Sequence, residues 1–131
     1  MSTRANIIIE SKEFAIPKKL YFYRHSDGYP EGVKPTLDLF VSWLKKDIIR
    51  NNIPQSSGWL ILLGTMEYDT IPKYATDQGY LKDTDTIESP KDWKCGAYEP
   101  TTGLHGDIEH LYVIDLDKKE WREEHNWDKY R

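Results

Sequence analysis

The sequence predicts an α+β domain: an antiparallel sheet of about five strands in the order β-β-α-α-β-β-β, with helices packed on one face. Three observations predict it. The β-branched run Ile7-Ile8-Ile9 lies near the start. A helical repeat follows at Leu37, Phe40, Val41, Leu44 and Ile48, and residues 107–116 then alternate with a period of two. At 131 residues the chain fits one domain, 1–131, because domains commonly run ~100–150 residues.

Residues 5–10 read as the first strand, 11–18 with Pro17 as a hairpin loop, and 20–23 as the second strand. The first helix is expected over 36–51, started by Pro35 or Thr36 and stopped by Asn51-Asn52 ahead of Pro54. A break at 55–58 supplies a serine cap for a second helix over 59–68, where Trp59, Leu62, Leu63 and Met66 fall at helical spacing. Residues 69–92 show no sustained period and read as a long loop or flap that contacts a partner, or as an insertion. A strand over 93–98, a loop over 99–106, the longest strand over 107–116 and a short strand over 120–123 complete the order. The end, 125–131, frays or packs on a neighbouring subunit.

The formal charge is −4, and the basic residues are scattered, with Lys18-Lys19, Lys45-Lys46 and Lys118-Lys119 as the longest runs. General nucleic-acid binding is therefore not expected, since it needs a basic stripe. The one cysteine, Cys95, excludes an intrachain disulfide and a multi-cysteine zinc site. No apolar run approaches the ~20 residues that span a bilayer, and no signal-peptide core is present, so a cytoplasmic protein without a membrane partner is expected.

Two polar turns hold the candidate site. The first, Arg24 to Tyr29, follows the second strand, and the other, Glu99 to Glu109 with Tyr98 beside it, precedes the long strand. Were those two strands antiparallel neighbours, both turns would meet at one rim of the sheet, as groups around a small-ligand site do. The ligand-binding set is then Arg24, His25, Asp27, Tyr29, Tyr98, Glu99, His105 and Asp107. Arg24 offers a planar fork for phosphate or carboxylate, or forms a structural ion pair with Asp27 or Glu99. His25 is a phosphate contact or an acid–base group, or its ring orders the turn. Asp27 before Gly28 is first a turn-former. Tyr23, Tyr29, Tyr98 and Trp59 have the faces to stack on a base, with core packing as the alternative, stronger for Trp59. His105, Asp107, Glu109 and His110 lack compact ligand spacing, so neither a metal nor a cofactor is expected, and no catalytic residue is assigned.

Leu20 to Ser26, with Arg24-His25 at a strand end, resembles the Arg-His-Gly strand of histidine phosphatases, with Ser26 standing where that family has glycine. More of the chain resembles small proteins carried by bacteriophages and prophages. The segments concerned are Arg4-Ala5-Asn6-Ile7-Ile8, the Tyr23 to Gly32 stretch containing Tyr-Arg-His-Ser-Asp-Gly-Tyr-Pro, Ser57-Gly58-Trp59-Leu60, and Gly96 to Tyr112. That resemblance implies an accessory protein that counters host defence, either as an oligomeric sponge for a nucleotide signal or as a direct inhibitor. The expected function is therefore sequestration of a small anionic ligand by a homo-oligomer. The alternatives are a protein-binding inhibitor of a host defence nuclease and a small phosphohydrolase or metal-dependent hydrolase.

Overall fold

A five-stranded sheet carries two helices on one face, as an α+β chain, in a computed structural model that describes residues 2–13, 16–67 and 96–131. The strands β1 (Ala5–Glu13) and β2 (Ile16–Arg24) form a hairpin. Helices α1 (Pro30–Lys45) and α2 (Ile53–Glu67) come next. The short β3 (Glu99–Thr101), β4 (His110–Asp115) and β5 (Glu120–Glu123) then complete the spatial order β3-β2-β1-β4-β5.

The sheet is mixed, which corrects the antiparallel expectation. β4 runs parallel to β1, with Ala5 opposite His110 and Glu10 opposite Asp115. The cause is edge occupancy. β3 takes the outer edge of β2, pairing Glu99 with Tyr23 and Thr101 with Tyr21. The next strand has only the edge of β1 left to pair with, and residues 102–109 carry the chain back to the rim where β1 starts. β4 therefore enters in the direction of β1.

β1 is buried on both sides, which explains its unbroken apolar run. Ile7 and Ile9 join Phe22, Tyr112 and Ile114 beneath the helices, whereas Ile8 joins Tyr23, Leu111, Val113 and Tyr130 on the outer face. That outer face is covered by Leu104, Ile108 and the terminal 3-10 turn Trp127–Tyr130, so the chain end packs on its own sheet. The Tyr21 hydroxyl donates to the Tyr130 carbonyl at 2.9 Å.

Several boundaries moved, each for a local reason. The hairpin strands extend through most of the expected loop at 11–18, where the Ser11 hydroxyl and the Lys12 amide donate to the Asp117 carboxylate at 3.0 and 2.8 Å. α1 begins six residues early because Pro30 occupies its first turn, where a missing N–H costs nothing. It stops at Lys45, before a left-handed Asp47 with φ of 59°, and this leaves Ile48 exposed. α2 also starts early. The Asn52 carboxamide oxygen accepts from the Gln55 amide at 2.9 Å, so the expected break at 55–58 is the first turn of the helix. The expected flap over 69–92 lies outside the described residues, as does most of the expected strand over 93–98; β3 starts only at Glu99.

The turn between β2 and α1 is folded back tightly on the helix. A Cβ at Gly32 would stand 2.1 Å from the Asp27 carbonyl oxygen, so any side chain there pushes the turn off α1. Gly32→Ala is expected to lower unfolding free energy by about 2 kcal/mol, read as a lower urea midpoint at an unchanged slope.

Candidate functional site

Alternation along β2 sends neighbouring side chains to opposite faces. Phe22 and Arg24 point under the helices, and Tyr23 points to the outer face. Arg24 is 0% exposed. Its guanidinium grips the Glu67 carboxylate with both terminal nitrogens, Nη1 to Oε2 at 2.9 Å and Nη2 to Oε1. Its Nε donates to the Ser26 carbonyl at 2.7 Å, and the guanidinium lies 5.1 Å from the Tyr98 ring centroid. Thr36 of α1 donates to the same Glu67 Oε2 at 2.9 Å. The end of β2, α1, the end of α2 and Tyr98 thus share one buried knot.

The backbone beyond Arg24 is held from three sides. Besides the Arg24 bond to Ser26, the Gly28 amide donates to the Thr3 carbonyl at 2.9 Å, and the Tyr112 hydroxyl donates to the Gly28 carbonyl at 2.7 Å. Asp27 sits between them with φ of 56°, a left-handed conformation that Asp tolerates. What remains outward are the side chains of His25, Asp27 and Tyr29, all exposed, Tyr29 at 40%.

On the outer face, Tyr23 is the pivot. The His105 ring stacks on it at 4.0 Å with 9° between planes, and the Tyr23 hydroxyl lies 3.1 Å from His25 Nδ1. Burial raises the Tyr23 phenol, and Asp107 raises it further, so Tyr23 keeps its proton. With Tyr23 donating, a neutral His25 carries its own proton on Nε2, directed away from the sheet. Thr101 Oγ1 sits 2.9 Å from His105 Nε2. Arg4 Nε lies 3.2 Å from Asp107 Oδ2, and Glu99 stands opposite Tyr23 on the edge strand.

Buried Asn6 places the second turn. Its Nδ2 donates to the Phe22 carbonyl at 2.8 Å and to the Gly103 carbonyl at 3.5 Å, while its Oδ1 accepts from the His105 amide at 2.8 Å. One strand residue thereby holds the loop that carries His105 across the sheet.

The two turns do share a rim, by a different route from the one expected. β2 and β4 are not neighbours, but β1 between them is antiparallel to one and parallel to the other, so Arg24, Ala5 and His110 lie in one row. Of the expected ligand set, His25, His105, Glu99 and Asp107 gather about Tyr23, and Asp27 and Tyr29 stand on the adjoining turn. Arg24 and Tyr98 lie beneath the sheet, on the helix side, and the carboxylate on Arg24 is that of Glu67 rather than Asp27 or Glu99. Sequence reasoning missed Arg4, Asn6, Thr101 and Glu67 as members. Glu67 carried a signal, as the only ionisable residue in the otherwise uncharged 53–67 helix.

His110 belongs to neither turn; its Nδ1 pairs with Glu123 Oε2 at 2.9 Å across β4 and β5. Among the described residues, no group of three or more His, Cys, Asp or Glu side chains is placed to hold a metal ion, and no helix is long and apolar enough to cross a membrane. Comparison with protein-family models, curated proteins and solved structures returns no match.

Two outcomes follow from this packing. Burial pushes the Tyr98 phenol up to about 12, against the lowering pull of Arg24. Because the folded-state value lies above the ordinary ~10, this contribution to stability is whole below pH ~10 and disappears as pH rises towards 12. Spectroscopic titration should show tyrosinate forming late, together with unfolding; Tyr98→Phe removes the late step. Asn6→Ala should cost about 2–3 kcal/mol, since it strands the buried amide partners, and hydrogen exchange should accelerate at His105.

Proposed function

We propose that the protein binds and sequesters a small anionic ligand of nucleotide type at this rim, without converting it. The supporting observation is the meeting of His25 and His105, far apart in sequence, on the two sides of Tyr23 beside the exposed Tyr29. In this reading His25 Nε2–H and Arg4 contact phosphate. Tyr29 stacks on the base. Asp27, Glu99 and Asp107 accept from sugar hydroxyls, which suits a nucleotide better than bare phosphate, since three carboxylates repel an anion that offers no donors. Arg24 and Tyr98 hold the turn from beneath and do not touch the ligand. The phage resemblance makes a nucleotide immune signal, captured in the cytoplasm, the ligand class we favour.

A second reading, a protein-binding inhibitor of a host defence protein, is favoured by one observation: the rigid turn displays a 40% exposed Tyr29 beside acidic Asp27, and tyrosine is enriched among interface anchors. The hydrolase alternative gains nothing from the geometry, since Arg24 faces the helices while His25 faces outward.

The test is mass spectrometry of small molecules released by heat from freshly purified protein. An intact nucleotide from the native chain, and recovery reduced about tenfold or more by His25→Ala and by Tyr29→Ala, is the expected result. An altered nucleotide would mean an enzyme. A host protein that co-purifies, with no small molecule, would favour the inhibitor. Full capture by both variants would remove the site.

A further inference from the structure

We infer that α2 is the contact by which two copies of this chain associate, its outer stripe packing antiparallel against the same stripe of a second copy. Gly58, Ile61, Leu62, Thr65 and Met66 fall at helical spacing on one side of α2, and Ile61, Leu62 and Met66 are 37%, 46% and 59% exposed.

Charge is the first reason for choosing a second copy as the occupant. Each chain carries −4, so two copies repel except where a surface has no charge. α2 offers such a surface. Glu67, its only ionisable residue, is turned inward and neutralised by Arg24. The polar side chains are satisfied locally as well. Ser56, Ser57 and Thr65 donate to the carbonyls of Ile53, Pro54 and Ile61, at 3.2, 2.7 and 3.0 Å. A helix that leaves so little polar capacity outward is suited to a dry contact.

Shape is the second reason. Gly64, the other glycine of α2, is required by the chain itself, because a Cβ there would stand 2.7 Å from the Tyr98 ring. Gly58 has no such internal reason: among the described residues nothing lies within 4 Å of where its Cβ would stand, and glycine inside a helix is destabilising. Small residues on a helix surface let another helix approach closely. Gly58 and Met66 are equidistant from Leu62. In an antiparallel pair with Leu62 on the two-fold axis, the Met66 of each copy therefore enters the space above the Gly58 of the other. This makes the stripe self-complementary, as an isologous contact requires.

Sedimentation and light scattering of the full chain should give twice the 15.4 kDa of one copy. Leu62→Glu should return the mass to one copy while its circular dichroism and melting stay native, because Leu62 is already half exposed. Leu20→Glu, an exposed apolar site on β2, should leave the mass doubled. Register is read with Gly58→Cys plus Met66→Cys in a Cys95→Ser background. The two cysteines of one helix are about 12 Å apart, too far to bridge, so oxidation should yield a covalent dimer. A native chain that stays monomeric at high concentration overturns the proposal, whether the stripe then binds vesicles or nothing. A dimer that survives Leu62→Glu, or one that fails to cross-link, overturns it equally.

Discussion

The buried pair between Arg24 and Glu67 is the constraint on which the rest of this structure depends. Removing a guanidinium and a carboxylate from water is costly, and an ion pair inside a protein recovers that cost only with good geometry and further hydrogen bonds. Both conditions hold. The contact is two-pronged, the third guanidinium donor satisfies the Ser26 carbonyl, and Thr36 satisfies Glu67. A simple apolar contact would leave these elements free to slide. The planar fork fixes the end of β2, the end of α2 and the start of the turn in one orientation.

The functional consequence is preorganisation. Once the Ser26 carbonyl is held by Arg24 and both backbone groups of Gly28 are bonded, the turn has little freedom left to lose when something binds. Affinity gains when recognition groups are fixed beforehand. His25 is fixed further by Tyr23, which is itself clamped under His105, and His105 is positioned by Asn6. Support from beneath comes from residues in the sheet, while the exposed groups on the turn do the binding we propose. The same inward pull on Glu67 leaves α2 without an outward charge, so one ion pair bears on both proposed surfaces.

Much of this was legible in the sequence. The repeat at Leu37, Phe40, Val41 and Leu44 located a helix and its buried face, and the run at Ile7 to Ile9 located a strand. The two polar turns were visible because charged and aromatic residues cluster there. Helix starts were harder to see. Pro30 and Asn52 act through backbone groups near them, and propensity alone favours later starts. Strand order was not legible, because the choice between the edges of β1 and β2 depends on where three residues, Glu99 to Thr101, happen to pair. The role of Arg24 was misjudged for a related reason. It lies in phase with the core residue Phe22, but its partner is forty-three positions away, and no local pattern announces a contact at that distance.

The most direct test is a double-mutant cycle on Arg24→Met and Glu67→Met, followed by urea unfolding. Each single change leaves its partner stranded and should cost about 3 kcal/mol, the low end for a buried pair because Glu67 is 24% exposed. The double variant should recover a large part of that, with a coupling near 2 kcal/mol. Purely additive losses, or an Arg24→Met protein as stable as the native chain, would contradict the account.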